Sequence, residues 1–297
     1  MKITVLLPTR GRPLYMVSAL MSWLTSAKDK SKLEFILVLD NDDQDSIDSY
    51  NELKPLVEYY GSTIHSSIDD CVGYKHMYKR HNQALELMTG DCLIMIADDF
   101  FCDELAWDII LQNSINDVYH NEGADVSILI WMCGVNLAKP HAEHHGFNKK
   151  WLDISKSISI TNAGDAYNRD MAYAANLSIV KPDIRVYHLQ RKLERANELN
   201  THDDTEFFRK LNEKKRFEGN EDRWIRFYGE KAKDPKWRES VMHEEKEYRY
   251  LDDGNELTEK FKEIMERFLD YYGVIPDKGY PTYQNPSLVR FLKNYER

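Results

Sequence analysis

With 297 residues, 42% of them hydrophobic and 12% aromatic, the chain holds enough apolar material for one elaborated α/β domain or two smaller lobes. A formal charge of −10 opposes non-specific binding to nucleic acid or anionic lipid, although a local basic groove stays open. No apolar run approaches the roughly 18–20 residues that cross a bilayer. Met1-Lys2-Ile3-Thr4-Val5 enters a strand pattern with no signal-peptide architecture. Cys71, Cys92, Cys102 and Cys133 show no CxxC spacing, so four reduced thiols in a cytoplasmic protein are expected.

Residues 2–7 (KITVLL) read as a first buried strand. Pro8-Thr9-Arg10-Gly11-Arg12-Pro13 follows as a rigid loop with two arginines at the strand's end. They can hold a diphosphate or a base edge, or form a solvated basic turn. Residues 14–25 carry a helical stripe of Leu14, Val17, Leu20, Met21 and Leu24. Residues 33–39 (LEFILVL) are a second apolar strand and end in Asp40-Asn41-Asp42-Asp43. Helical sequence then runs to Tyr59, a short strand lies near 62–65, and 66–73 reads as a polar loop. A helix over 74–88 would bury Met77, His81, Ala84 and Leu85, with His81 a core histidine. Lys75, Lys79, Arg80 and Asn82 fall off that stripe.

Thr89-Gly90-Asp91 is a turn signal before residues 92–97 (CLIMIA), an apolar run without alternation that suits a strand buried on both faces. It ends in Asp98-Asp99. Adjacent carboxylates at the tip of a buried strand repel and resist desolvation unless a cation or hydrogen-bond donors meet them. Ligands in open α/β sheets bind at the carboxyl ends of strands, so the pair could bring a hard divalent metal to a phosphate. It could equally be an acidic turn before the helix expected over 103–119. Two apolar strands that both end in acid suggest a shared site.

Residues 125–133 give a further strand, and the alternation of strands and helices to this point implies a mostly parallel sheet with helices on both faces. His141, His144 and His145 (HAEHH) match no known metal spacing and read as a polar loop without a structural metal. A strand and its approach are expected over 168–180, and an amphipathic helix over 186–199. His202-Asp203-Asp204 opens another helix, where the carboxylates can serve as caps. Residues 212–253 read as a charged helical extension, 257–272 as a last amphipathic helix, and the Pro/Gly/Tyr tail beyond as a surface segment.

These strings together resemble the nucleotide-sugar glycosyltransferases of the family-two type, with the GT-A fold. ITVLLPTRGRP looks like the first strand and nucleotide loop (Thr9, Arg10, Arg12). FILVLDNDD looks like the second strand, whose terminal acid, here Asp40, contacts the base in that family. Gly73, Lys75, Arg80 and Asn82, running to Thr89-Gly90-Asp91, resemble the signals before the metal motif, although His81 separates Arg80 from Asn82. IADDF looks like the DxD-type motif, with Ala97 where many relatives carry its first aspartate; which of Asp98 and Asp99 takes ribose and which takes metal stays open. HDDTEFFRKL is similar to the motif that supplies the catalytic base, with Asp204 at that position. The family's third metal ligand is often a C-terminal histidine, for which His188, His202 and His243 are candidates.

The resemblance implies an α/β, Rossmann-like GT-A fold: a mostly parallel sheet flanked by helices, with a helical C-terminal extension. Residues 1–125 would form the nucleotide-sugar-binding half, 126–215 the acceptor-binding half and 216–297 the extension. Mn²⁺ or Mg²⁺ on Asp98 and Asp99 would neutralise the diphosphate of a nucleotide sugar, a UDP-sugar foremost. Thr9, Arg10, Arg12, Asp40, Gly73, Lys75, Arg80 and Asp98 would hold that donor. Asp204 would deprotonate the acceptor hydroxyl, so that a single displacement inverts the anomeric centre; if Asp204 only caps a helix, retention stays open. The acceptor would be a saccharide or a hydroxylated DNA base of the phage type. The other classes are a nucleotidyltransferase, which more often has a Gly-rich loop where PTRGRP has one glycine, and a catalytically silent nucleotide-sugar-binding module.

Overall fold

The computed structural model describes residues 1–72, 76–132, 144–160, 168–169, 171–172, 175–188 and 256–273. Its strands are β1 (Ile3–Pro8), β2 (Leu33–Asp40), β3 (Thr63–Asp69), β4 (Cys92–Met95), β5 (Phe100–Cys102), β6 (Ile128–Met132), β7 (His144–Asn148), β8 (Ser178–Val180) and β9 (Val186–His188). Its helices are α1 (Pro13–Ser26), α2 (Gln44–Tyr59), α3 (Met77–Ala84), α4 (Trp107–Glu122), α5 (Lys149–Ser155) and α6 (Glu256–Tyr272). Seven strands form one sheet in the order β3-β2-β1-β4-β7-β6-β8, and β5 pairs with β9 in a two-stranded ribbon. Within the large sheet β7 runs antiparallel to both of its neighbours and every other pairing is parallel. The expected mostly parallel sheet flanked by helices is therefore observed.

Alternation along the strands divides the core between the two faces. Val5, Leu7, Phe35, Leu37 and Ile94 pack with Met16, Leu20 and Trp23 of α1, Leu53 and Val57 of α2, and Trp107 and Leu111 of α4. Leu6, Ile36, Leu93, Leu129 and Phe147 pack on the other face with Ala84 of α3, Trp151 of α5, and Met265 and Phe268 of α6. Both faces are covered, which is why the strands read as continuous apolar runs. The helix expected over 257–272 is present as α6. Its Phe268 ring lies 4.9 Å from that of Trp151, and its Tyr271 hydroxyl donates to Asp125 at 2.6 Å.

Several local expectations are corrected. The buried stripe of α1 is Met16, Ala19, Leu20, Trp23 and Leu24, with Leu14 80% exposed. The indole of Trp23 sets this rotation: its N–H donates to the Phe100 carbonyl at 2.9 Å, and its ring meets Trp107 edge-on at 4.9 Å. Residues 66–69 continue β3 rather than looping, because each pairs with β2 as far as Asp40↔Asp69. The helix after the Asp pair starts at Trp107, since Asp103 N–H is bonded to Arg185 and Ala106 takes a left-handed φ of 60°. Residues 186–188 form β9, not a helix, drawn into strand geometry by pairing with Phe100–Cys102.

His144 and His145 likewise lie in a strand and not in a polar loop. β7 sits between β4 and β6, with Gly146 opposite Ile94 and Ile130. A Cβ on Gly146 would lie 2.4 Å from the Leu93 carbonyl oxygen, so only glycine permits so close an approach. His145 is buried, and burial pushes its pKa down to about 4, which keeps the ring neutral inside the sheet. The core reading of His81 holds: it is buried, and burial, with smaller contributions from His145 and Arg80, lowers its pKa to about 3. Cys71, Cys92 and Cys102 form no disulfide; Cys133 lies outside the described residues. No described helix is long and apolar enough to cross a membrane.

Candidate active site

The order β3-β2-β1-β4 places the carboxyl ends of four parallel strands side by side, and each end supplies charge. The loop after β1 is held from both sides. Thr9 N–H donates to the Val38 carbonyl at 3.2 Å, and Gly11, at φ 63°, donates its N–H to Asp43 Oδ2 at 2.7 Å. Pro13 then starts α1, a position where its missing N–H costs nothing. The loop thus turns back over the ends of β2 and β4 with little backbone freedom.

Asp98 and Asp99 are 1% and 5% exposed, and the groups that make this tolerable come from the same loop. Thr9 Oγ1 donates to Asp98 Oδ2 at 2.7 Å. The Arg12 guanidinium spans the pair, 2.5 Å from Asp98 Oδ1 and 3.3 Å from Asp99 Oδ2. At the end of β2, Arg10 donates to Asp40 Oδ2 at 2.9 Å and to both oxygens of Asp42, one of them at 2.8 Å. Burial alone would lower the Arg10 pKa, but the Asp42 hydrogen bond and neighbouring negative charge outweigh it, and the net shift is upward. Asp40 sits above the ordinary aspartate value: burial raises it, and Arg10 offsets only part of that rise.

Thr9, Arg10, Arg12, Asp40, Asp98 and Asp99 therefore converge on one edge. Arg80 does not share their placement. It lies 3% exposed rather than off the buried stripe, donates to the Leu39 and Ser67 carbonyls at 3.0 Å each, and pairs with Asp69 at 3.1 Å. That guanidinium ties the ends of β2 and β3 together behind Asp40. Gly73, Lys75, Asp204, His202 and His243 lie outside the described residues. For His188 the backbone register is informative: β9 sets it opposite Phe100, the residue after Asp99. Asp42 and Asp43 belong to the site although neither was singled out; the run DNDD signals them, each taking a different partner in the arginine loop.

The strand expected over 92–97 stops at Met95, so Asp98 and Asp99 stand in the turn between β4 and β5; two nearly buried carboxylates there are hard oxygen donors of the kind Mg²⁺ and Mn²⁺ prefer. Among the described residues no third His, Cys, Asp or Glu side chain completes a metal cluster with them. The donor type fits such an ion, and the position it would take is bordered by a guanidinium.

No protein-family model matches the chain, and no curated protein sequence matches it. Among solved structures it is similar to the mannosyltransferase PcManGT from Pyrobaculum calidifontis in complex with GDP-Man and Mn²⁺. That match has 11% identity and a TM-score of 0.49, and covers 92% of this chain and 75% of that one. It is similar also to S. aureus TarS 1–349 in complex with UDP, at 14% identity and a TM-score of 0.47, over 92% of each chain. A third is a Bacillus anthracis protein described as a glucose-1-phosphate thymidylyltransferase, in complex with a sucrose. It has 13% identity and a TM-score of 0.41, and covers 67% of this chain and 94% of that one.

Proposed function

We propose that the chain is a metal-dependent glycosyltransferase, moving a sugar from a nucleoside-diphosphate sugar, a UDP-sugar foremost, to an acceptor hydroxyl. The observation that carries this reading is the placement of Asp40 and Asp98–Asp99, each with its own arginine, at the carboxyl ends of β2 and β4, the two strands that flank β1. Such an edge is where open α/β sheets take their ligands. Asp40 offers an acceptor to the N–H or O–H groups of a base or ribose. Arg10 and Arg12 offer planar donors to phosphate oxygens, joined by Lys75 from the segment before α3.

Asp98 and Asp99 would hold Mn²⁺ or Mg²⁺, with one of His188, His202 and His243 as the third ligand. A divalent cation bound there neutralises the diphosphate and assists its departure as a Lewis acid. The remaining work belongs to side chains. The pinned loop 9–12 orients the donor, and Asp204 takes the proton from the acceptor hydroxyl as it attacks in line, which inverts the anomeric centre. The acceptor is a saccharide; a net charge of −10 disfavours a DNA duplex. On this reading residues 1–125 bind the donor, 126–215 the acceptor, and 216–297 extend the domain.

Incubation with a panel of nucleotide sugars and Mn²⁺ tests the proposal. One donor is expected to be hydrolysed slowly, with release of nucleoside diphosphate. Pyrophosphate release from a nucleoside triphosphate and a sugar phosphate would assign a nucleotidyltransferase instead.

A further inference from the structure

The guanidinium of Arg12 occupies the place where a cation would be needed, and its surroundings bear on how that place is used. Its side chain is 25% exposed, whereas those of Asp98 and Asp99 are 1% and 7% exposed. It therefore approaches the carboxylates from the solvent side. Its backbone is fixed: Pro13 follows it, the carbonyl of Arg12 accepts from Met16 N–H, and Gly11 is tied to Asp43. Any displacement of Arg12 is therefore confined to its side chain. The Tyr15 ring lies beside it while it holds the carboxylates, with the guanidinium carbon 6.0 Å from the ring centre, at the outer limit of cation–π range.

We propose that Arg12 is an exchangeable internal counter-ion: its guanidinium and a divalent cation occupy the Asp98–Asp99 carboxylates alternately, and the displaced guanidinium rests on Tyr15. This rests on the donor-site reading above. Without a divalent ion, Arg12 neutralises two carboxylates that would otherwise be buried, adjacent and repelling. With the ion bound, a guanidinium in the same contact would face a doubly charged neighbour at close range, and the repulsion moves it outward. Arg12 then stands at the solvent side of the site as a donor to an incoming diphosphate. Metal affinity is thereby set low in the empty protein and raised by the anion that engages Arg12. The consequence is cooperative binding of ion and nucleotide through one side chain.

Mn²⁺ titration of the full chain without nucleotide, read by the loss of the free-Mn²⁺ electron-spin-resonance signal, tests this. Arg12→Gln removes the competitor and is expected to bind Mn²⁺ at least about tenfold more tightly than wild type. Arg12→Lys keeps a charge but cannot span both carboxylates, and is expected to fall between the two. Adding UDP should tighten Mn²⁺ binding to wild type and have much less effect on Arg12→Gln. Equal Mn²⁺ affinity in the three proteins, or weaker binding in either variant, overturns the exchange. That result is distinct from failure of the donor-site reading, which would appear as no response of any of the proteins to any nucleoside diphosphate.

Discussion

Asp98 and Asp99 show how buried charge is tolerated at the scale of single residues. Each is almost wholly enclosed, yet each has a partner: Thr9 and Arg12 for Asp98, Arg12 for Asp99. Removing one carboxylate has a different meaning here from removing one elsewhere on the edge. Asp99→Asn halves the negative charge available to a cation while keeping the shape of the side chain. Metal-dependent nucleotide binding is therefore expected to weaken, and transfer to fall with it. Asp204→Asn is expected to bind nucleotide and metal nearly as tightly as wild type. It should lose about 10²–10⁴ in transfer rate, the usual value of a positioned base. Asparagine caps a helix as well as aspartate does, so its stability should change little. Transfer at close to the wild-type rate by Asp204→Asn would show that Asp204 is a cap and not the base.

Between elements, the contact of α3 with β7 stores a pH dependence. His81 and His145 are neutral in the fold, with pKa values near 3 and 4, whereas an unfolded chain protonates them near 6.5. Below about pH 6.5 the unfolded state binds more protons, so stability falls as pH falls and keeps falling until the folded pKa values are reached. Each histidine contributes up to about 1.4 kcal/mol per pH unit over that window. Urea unfolding at pH 7, 6 and 5 is expected to show the decline, and His81→Leu to make it shallower. An unchanged slope in that variant would mean that His81 is hydrated in the fold. The helix α6 works differently, docking through Phe268 on Trp151 and through tyrosine hydroxyls near Asp125.

Over the whole molecule, the sheet's carboxyl edge is negatively charged. Asp40, Asp42, Asp69, Asp98 and Asp99 face Arg10, Arg12 and Arg80, and the chain as a whole carries −10. A nucleoside diphosphate approaching such an edge alone meets repulsion, which a divalent cation relieves. UDP with Mn²⁺ is therefore expected to raise the melting temperature more than UDP and Mn²⁺ separately. At ligand near 100 times its dissociation constant, the stabilisation should be about 2.7 kcal/mol. Absence of a shift with every nucleoside diphosphate tried would remove the donor site.

What the sequence by itself determined is what depends on near neighbours. The apolar runs 2–7, 33–39 and 92–97 supplied central strands at Ile3–Pro8, Leu33–Asp40 and Cys92–Met95, and the acids that follow the latter two lie on one edge because parallel strands align their carboxyl ends. The amphipathic period of 257–272 was enough to foresee α6. The tertiary structure alone decided which arginine meets which acid, since the two ends of the Arg12–Asp99 bridge lie 87 residues apart. It alone turned HHGFN and residues 186–188 into strands, because each pairs with a strand far back along the chain, β7 with β4 and β9 with β5. It also buried Arg80, a residue that helical spacing puts off the apolar stripe, by supplying two carbonyls and a carboxylate from β2 and β3. Desolvation of a polar group is set by what packs around it in space, and a local pattern carries no record of those distant partners.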